Sequence, residues 1–138
     1  MERRQIKVKA HNLFNSRWLI AATIFTAAVI FLTHLPNESV PEPFRQGGLD
    51  KLMHIAAYGM ITFFFVFSLR TPLTLIGCLV LSPAIITIGV IDEVTQPLVH
   101  RTASLFDWLA NVVGIVIVLI LCAGFRRGPP DQDRTPST

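Results

Sequence analysis

Four long apolar runs dominate this sequence and decide what it can fold into. They extend over residues 18–35, 50–69, 72–96 and 105–125. Each run is about 18 to 25 residues long, and a hydrocarbon core of roughly 30 Å needs about 20 helical residues to cross it. Because backbone groups in lipid must be satisfied within the chain, each run is expected to be a helix. The sequence therefore predicts an all-α integral membrane bundle of four transmembrane helices.

Composition agrees with a membrane protein and argues against a nucleic-acid-binding one. Only 15% of the 138 residues are charged, whereas a soluble domain carries about 25%. The net charge is +3, but the basic residues flank the apolar runs and form no stripe. Cys78 and Cys122 both lie inside apolar runs, which is typical of small packing residues. We therefore expect a membrane-embedded chain that binds no nucleic acid.

The chain divides into three parts. Residues 1–17 form a basic N-terminal segment, residues 18–125 the membrane domain, and residues 126–138 a tail expected to be disordered. The first run is interpreted as a retained helix, since no small-residue cleavage site follows it. Thr71 is predicted to cap helix three, with Pro72 as its first residue.

Two further positions concern the shape and packing of the helices. Pro83 falls inside the third run and is expected to kink the helix there. Ala110 and Gly114 are four residues apart in the fourth run, which places two small residues on one helical face. This step predicts a close contact between helix four and a neighbour.

The distribution of lysine and arginine predicts the orientation. Nine of these residues lie in the N-terminal segment, at Arg70 or beyond the fourth run, and three lie in the two loops on the other side. Cytoplasmic segments carry the excess of basic residues. Both termini are therefore expected to be cytoplasmic, in a multi-pass protein of the cytoplasmic membrane of a cell with an envelope.

Polar residues gather near the outer ends of runs two, three and four. They are Asp50, His54 and Tyr58; Asp92, Glu93 and Gln96; and Asp107 and Asn111. Residues four apart share one helical face. Three helices are therefore expected to bring titratable and amide groups to one membrane depth, while helix one, with His34 as its titratable residue, is expected to act mainly as scaffold or anchor.

Several of these residues also have a purely structural interpretation. Asp50 could be the N-cap of helix two. The spacing from Ser104 to Asp107 matches a capping box, in which Asp107 would only start helix four. His54 could be an ordinary hydrogen-bonded interior histidine. These alternatives stay open at the level of sequence.

The structural interpretation is weakest at Asp92 and Glu93. Both lie near the C-terminal end of helix three, where the helix dipole disfavours anions, and adjacent carboxylates at the edge of hydrocarbon are costly. Arg101, Lys51 and His54 are the candidate partners. Because helices two and four begin on the same side, their N-termini would also favour an anionic ligand there.

At these residues the chain resembles the VanZ-like family of small multi-pass membrane proteins. The resemblance covers roughly residues 49–118. It is carried by two spacings, namely Asp50-Lys51 with His54 and Tyr58, and Asp92-Glu93 with Gln96, Arg101, Ser104, Asp107, Asn111 and Gly114. The family often has Pro-Gly before the arginine, where this chain has Val99-His100. The resemblance implies the topology and nominates residues, and it links the family's namesake to teicoplanin resistance, but it implies no reaction.

Three functions remain open. The first is an enzyme that modifies an envelope lipid or lipid-linked glycan with an anionic headgroup, the second a non-catalytic binder of such a lipid or of a lipophilic glycopeptide antibiotic, and the third a structural or assembly factor. The candidate catalytic residues are Asp92, Glu93, His54 and Asp107, and the candidate ligand-binding residues are Asp50, Lys51, Tyr58, Gln96, Arg101 and Asn111. No cofactor is expected. No H-E-x-x-H or cysteine pattern predicts a metal site, although one histidine with several carboxylates leaves a divalent cation open as a variant of the enzyme hypothesis.

Overall fold

The computed structural model describes residues 13–42, 47–71 and 73–125, and within them the chain is helical apart from one isolated β-bridge. The long helices are α1 (Ser16–Thr33), α2 (Gly48–Ser68), α3 (Leu75–Thr95) and α4 (Leu105–Phe125), with short 3-10 turns at Asn37–Ser39 and Gln96–Val99. All four are long and apolar enough to cross a membrane, which confirms the predicted all-α architecture. The predicted disordered tail, most of the basic N-terminal segment and Pro72 lie outside the described residues.

Helix α2 occupies the centre of the bundle. It packs against α1 on one side and most extensively against α4 on the other, while α3 packs chiefly on α4. Tyr58 and Ile61 of α2 and Ile115 of α4 are fully buried in the core between these helices. Because α1 and α3 end where α2 and α4 begin, one end of the bundle gathers two helix C-termini and two N-termini. We call this the polar end.

The α2–α4 contact depends on a backbone-to-backbone approach at Gly114. A Cβ atom added there would overlap the carbonyl oxygen of Ile55, whereas one added at Gly59 would meet Val118 Cγ2 at 3.4 Å, an ordinary contact. Ala110, one turn before Gly114, is 6% exposed. The predicted close contact of helix four is therefore confirmed, and α2 is the partner.

Helix α3 begins later than its sequence predicts. Thr74 is the N-cap, and its Oγ1 accepts a hydrogen bond from the backbone N–H of Gly77 at 3.1 Å. The residues before it are engaged with the N-terminal segment, since Asn15 N–H donates to the Ser68 carbonyl at 2.7 Å and Arg70 N–H donates to the Leu13 carbonyl at 3.0 Å. This bridge holds the chain extended after α2, so the prediction that Thr71 caps the helix is wrong.

The position of this cap gives a matched pair of substitutions. Thr74→Ala is expected to destabilise the protein by about 0.5–2 kcal/mol, because it removes the acceptor for an otherwise unpaired helix N–H. Thr71→Ala is expected to change stability by less than about 0.5 kcal/mol, as is usual at an exposed position. Denaturant unfolding in detergent micelles measures both. A larger loss of stability for Thr71→Ala than for Thr74→Ala would show that Thr71 caps α3, as the sequence predicts.

Aromatic side chains hold α1 on α2 away from the polar end. Trp18 packs on Phe67 and Phe64 with ring centroids 5.5 and 6.1 Å apart, at the end opposite the polar end. Further along, Phe25 lies 5.3 Å from Phe64. At the polar end the contacts of α1 are polar instead, and they belong to the candidate site.

Candidate functional site

The polar end contains a cluster of buried polar side chains contributed by α2, α3, α4 and the 3-10 turn after α3. Its members, each at most 9% exposed, are Asp50, His54, Tyr58, Asp92, Glu93, Gln96, Asp107 and Asn111. We call them the polar cluster. Its existence confirms that these helices bring their polar residues together. Successive helix residues point about 100° apart, and the adjacent carboxylates of Asp92 and Glu93 accordingly belong to two different groups.

Both oxygens of the Asp92 carboxylate accept hydrogen bonds. Tyr58 donates its phenolic hydroxyl to Asp92 Oδ2 at 3.0 Å, and the Thr33 hydroxyl donates to Oδ1 at 2.6 Å. His34 Nδ1 lies 3.5 Å from the same Oδ1. Gly89 makes room for this arrangement, since a Cβ there would approach Tyr58 Cε1 to 3.2 Å. Asp92 therefore ties α1, α2 and α3 together.

Helix α1 consequently contributes to the site, which the sequence-based expectation of a scaffold or anchor missed. Besides the contacts of Thr33 and His34 with Asp92, His34 Nε2 lies 2.9 Å from the Thr95 hydroxyl. Arg101, expected to neutralise Asp92 or Glu93, instead donates from Nη1 to the Thr33 carbonyl at 3.0 Å and pairs with neither carboxylate among the described residues. The sequence feature that could have indicated this contribution of α1 is His34, a titratable residue at the polar end of an apolar run.

Glu93 points to the other side of α3, toward α4 and α2. Its Oε2 accepts a hydrogen bond from the backbone N–H of Ser104 at 3.2 Å. Its Oε1 lies 3.8 Å from His54 Nδ1 and accepts no hydrogen bond from any described residue. One oxygen of this buried carboxylate is thus fixed in place, while the other keeps its acceptor capacity.

The hydrogen bond between His54 and Asn111 determines the tautomer of the imidazole. His54 Nδ1 lies 3.0 Å from Asn111 Oδ1, and an amide oxygen can only accept a hydrogen bond. Nδ1 therefore carries the proton and donates. In the neutral ring Nε2 then has a free lone pair, and it lies 4.0 Å from Asp50 Oδ1, beyond hydrogen-bonding distance.

The sequence allowed Asp50 and Asp107 to be helix-start residues only. The structure contradicts this for Asp50 and agrees in part for Asp107. Gly47 occupies the N-cap position of α2, so Asp50 is the third helical residue and not the cap. Ser104 Oγ accepts from the Asp107 N–H at 3.3 Å, as in a capping box. The return contact is missing, however, because Glu93 takes the Ser104 N–H. The Asp107 carboxylate is left to approach Lys51 Nζ at 3.6 Å.

Asp50 and Asp107 occupy equivalent places in the first turns of α2 and α4. Helix N-termini stabilise anions, and here these side chains already supply the negative charge. The two carboxylates and His54 each offer a ligand atom within 4.8 Å of the others. The sequence predicts that the N-termini of α2 and α4 favour an anionic ligand. The carboxylates of Asp50 and Asp107 already supply part of that negative charge.

The loop after α3 is closed by backbone contacts. Gln96, 2% exposed, accepts at its carbonyl from the Arg101 N–H at 3.2 Å. His100 has a φ of +60°, in the left-handed region that favours glycine. A glycine would adopt this backbone conformation more easily than the histidine does.

Two apolar grooves reach the polar cluster from opposite sides. The first, about 320 Å³ in volume, lies between α1, the following loop and α2. Its lining includes Val29, Leu32, Leu35, Val40, Met53 and Ala57 together with Thr33, Asp50 and His54. The second, about 370 Å³, is lined by Val90, Glu93, Val94, Ala103, Ser104, Leu105 and Trp108. Ligand sites typically have volumes of about 300–1,000 Å³ with apolar walls and few polar groups. The sequence pattern indicated the polar groups but neither groove.

Comparison of the chain with protein-family models, with curated proteins and with solved structures finds no match in any of the three. What this site does is therefore argued from its own geometry.

Proposed function

We propose that this protein is an enzyme of the cytoplasmic membrane that modifies an envelope lipid or lipid-linked glycan at the outer leaflet. The observation that carries the proposal is the α1–α2 groove, whose mostly apolar lining includes Asp50 and His54. A lipid needs apolar walls for its chain and polar groups for its headgroup, and this groove supplies both. A site that only locked the helices together would need no such opening.

Glu93 is the residue to which we assign the general base. Its Oε2 is oriented by the Ser104 N–H at 3.2 Å, and its Oε1 accepts no hydrogen bond from the described residues. A base must keep a lone pair for the proton that it removes and must be held in position. Asp92 is less suited to this role, because each of its oxygens already accepts a hydrogen bond, Oδ2 from Tyr58 and Oδ1 from Thr33. We therefore assign Asp92 a positioning role.

Orientation and family form part of the same proposal. The excess of basic residues on one side supports cytoplasmic termini, which would place the polar end at the outer leaflet. VanZ-like membership is supported by the convergence of most of the resembling residues, from Asp50 to Asn111, on one buried cluster. Neither consideration implies resistance to an antibiotic.

Substitution of Glu93 by glutamine tests the enzyme proposal. In cells that lack the protein, extracted lipids and lipid-linked glycans are expected to show an accumulated precursor that the wild-type protein removes. Glu93→Gln is expected to reduce this conversion by about 10²–10⁴-fold, the usual contribution of a general base. The variant should still accumulate in the membrane, since glutamine keeps the shape and an acceptor for the Ser104 N–H.

Glu42→Gln is the matched control, because Glu42 is an exposed glutamate in the first loop. It should behave as the wild type does. Conversion by Glu93→Gln at the wild-type rate would exclude the base role, and disappearance of the variant from the membrane would favour a structural cluster. Retention of a lipid by the wild-type protein with an unchanged lipid profile would favour the non-catalytic binder.

A further inference from the structure

We infer that Asp50, His54 and Asp107 form a binding site for a divalent cation of the kind held by imidazole and carboxylate together, Zn²⁺ or Mn²⁺. This deepens the proposed function, because the cation would meet the headgroup of the lipid. Its binding can be measured without any lipid, so the two proposals can fail separately.

The geometry of the three ligands carries the inference. One ligand atom from each residue lies within 4.8 Å of the other two. Ligands around an ion with bonds of about 2.0–2.6 Å lie roughly 3–5 Å apart. His54 and Asp50 come from successive turns of α2, and Asp107 comes from the first turn of α4. The site is therefore created where the N-termini of these two helices meet.

The imidazole of His54 is already set up as a ligand. Its Nδ1 donates to Asn111 Oδ1 at 3.0 Å, which leaves the Nε2 lone pair toward Asp50. Metal-binding histidines almost always donate their second ring nitrogen to an oxygen in this way, which fixes the ring and its tautomer. His34 provides the contrast, since its ring nitrogens lie 2.8 Å from the Ile30 carbonyl and 2.9 Å from the Thr95 hydroxyl.

Unpartnered oxygens supply a second, independent observation. Glu93 is 5% exposed and Asp107 is 9% exposed, and Oε1 of the one and Oδ1 of the other accept no hydrogen bond from the described residues. Buried polar atoms are normally paired, and each unpaired one requires an explanation. Oε1 of Glu93 lies 3.8 Å from His54 Nδ1, beside the proposed ligands. Because Lys51 Nζ lies 3.6 Å from Asp107 Oδ1, beyond hydrogen-bonding distance, a bound cation would give this oxygen a direct partner.

The balance of charge points the same way. Asp50, Asp107 and Glu93 surround His54, and the nearby fixed positive charges among the described residues include Lys51, 3.6 Å from Asp107 Oδ1, and Arg101, which acts on Asp50. An anionic headgroup entering the α1–α2 groove would meet carboxylates of its own sign. A divalent cation between them would bind both, as metal ions do when they polarise phosphoryl oxygens.

Metal binding to the purified full-length protein tests the inference. The wild-type protein, stripped with a chelator and dialysed against Zn²⁺ or Mn²⁺ alone, is expected to retain about one ion per chain, as for a site with several protein ligands. His54→Gln and Asp107→Asn should each weaken affinity at least tenfold, since loss of even an outer partner of a metal ligand costs about 10–100-fold. His100→Gln is the matched histidine control, because His100 is an exposed loop residue outside the polar cluster, and it should bind metal as the wild type does.

The substitution Lys51→Gln distinguishes a metal site from a carboxylate cluster whose charge is neutralised by this lysine. If the inference holds, removing the competing ammonium should tighten metal binding severalfold, and the cation should raise the melting temperature of the wild-type protein but not that of folded Asp107→Asn. Absence of bound metal in both the wild type and Lys51→Gln would overturn the site. Equal losses of metal affinity for His54→Gln and His100→Gln would overturn it as well. Metal binding without any lipid conversion would leave the site intact and remove the proposed enzyme.

Discussion

Gly114→Ala is expected to separate α2 from α4 and to cost about 1–3 kcal/mol or more of stability, the usual penalty for overpacking. The added methyl would overlap the carbonyl oxygen of Ile55, a backbone atom that no side-chain rotation can move aside. The same displacement would pull Asn111 away from His54 and Asp107 away from Asp50. The variant should therefore lose lipid conversion and metal binding as well as stability.

Gly124→Ala in the same helix is the matched control, because nothing lies within 4 Å of the added methyl. Alanine is the better helix former by about 1 kcal/mol, so this variant should be as stable as the wild type or slightly more so. Gly59→Ala should fall between them, with its nearest neighbour at 3.4 Å. Denaturant unfolding in micelles ranks the three, and wild-type stability in Gly114→Ala would show that α2 and α4 do not approach as described.

Asp92→Ala is expected to remove folded protein from the membrane, with a loss of about 1–3 kcal/mol for each buried donor left without its acceptor. Truncation would leave the Tyr58 hydroxyl buried without its acceptor at 3.0 Å and would release Thr33, bonded at 2.6 Å. Both the α1–α3 and the α2–α3 connections at the polar end would fail. Accumulation in the membrane and resistance to proteolysis measure the effect.

Asp92→Asn should give an intermediate result, because its amide retains one acceptor oxygen. The informative comparison is with Glu93→Gln, one residue along the same helix, which should accumulate normally and lose activity. If Asp92→Ala instead accumulates like the wild type and loses lipid conversion, then Asp92 acts in the reaction, as its sequence pattern suggested.

The fold was predictable from the sequence because its determinants are local. The length of each apolar run fixes whether a helix can cross about 30 Å of hydrocarbon, and four runs gave four helices at nearly the predicted positions. The shared face of Asp50, His54 and Tyr58 follows from helical periodicity alone. The start of α3 was misplaced because the bridge between residues 13–15 and 68–70, a contact distant in sequence, keeps the chain extended there.

The roles within the polar cluster were decided by tertiary structure. Asp92 and Glu93 are equivalent neighbours in the sequence, but the rotation of α3 about its own axis turns Asp92 toward α1 and Tyr58 and turns Glu93 toward His54 and α4. The pairing of each carboxylate, the contribution of α1 and the two grooves all depend on how the helices pack. The sequence by itself determined that the chain has four helices long and apolar enough to cross a membrane and that their polar residues share one end. Only the tertiary structure decided which of those residues are hydrogen-bonded to one another and which keep an unpaired oxygen, because that depends on contacts between residues as many as 68 positions apart.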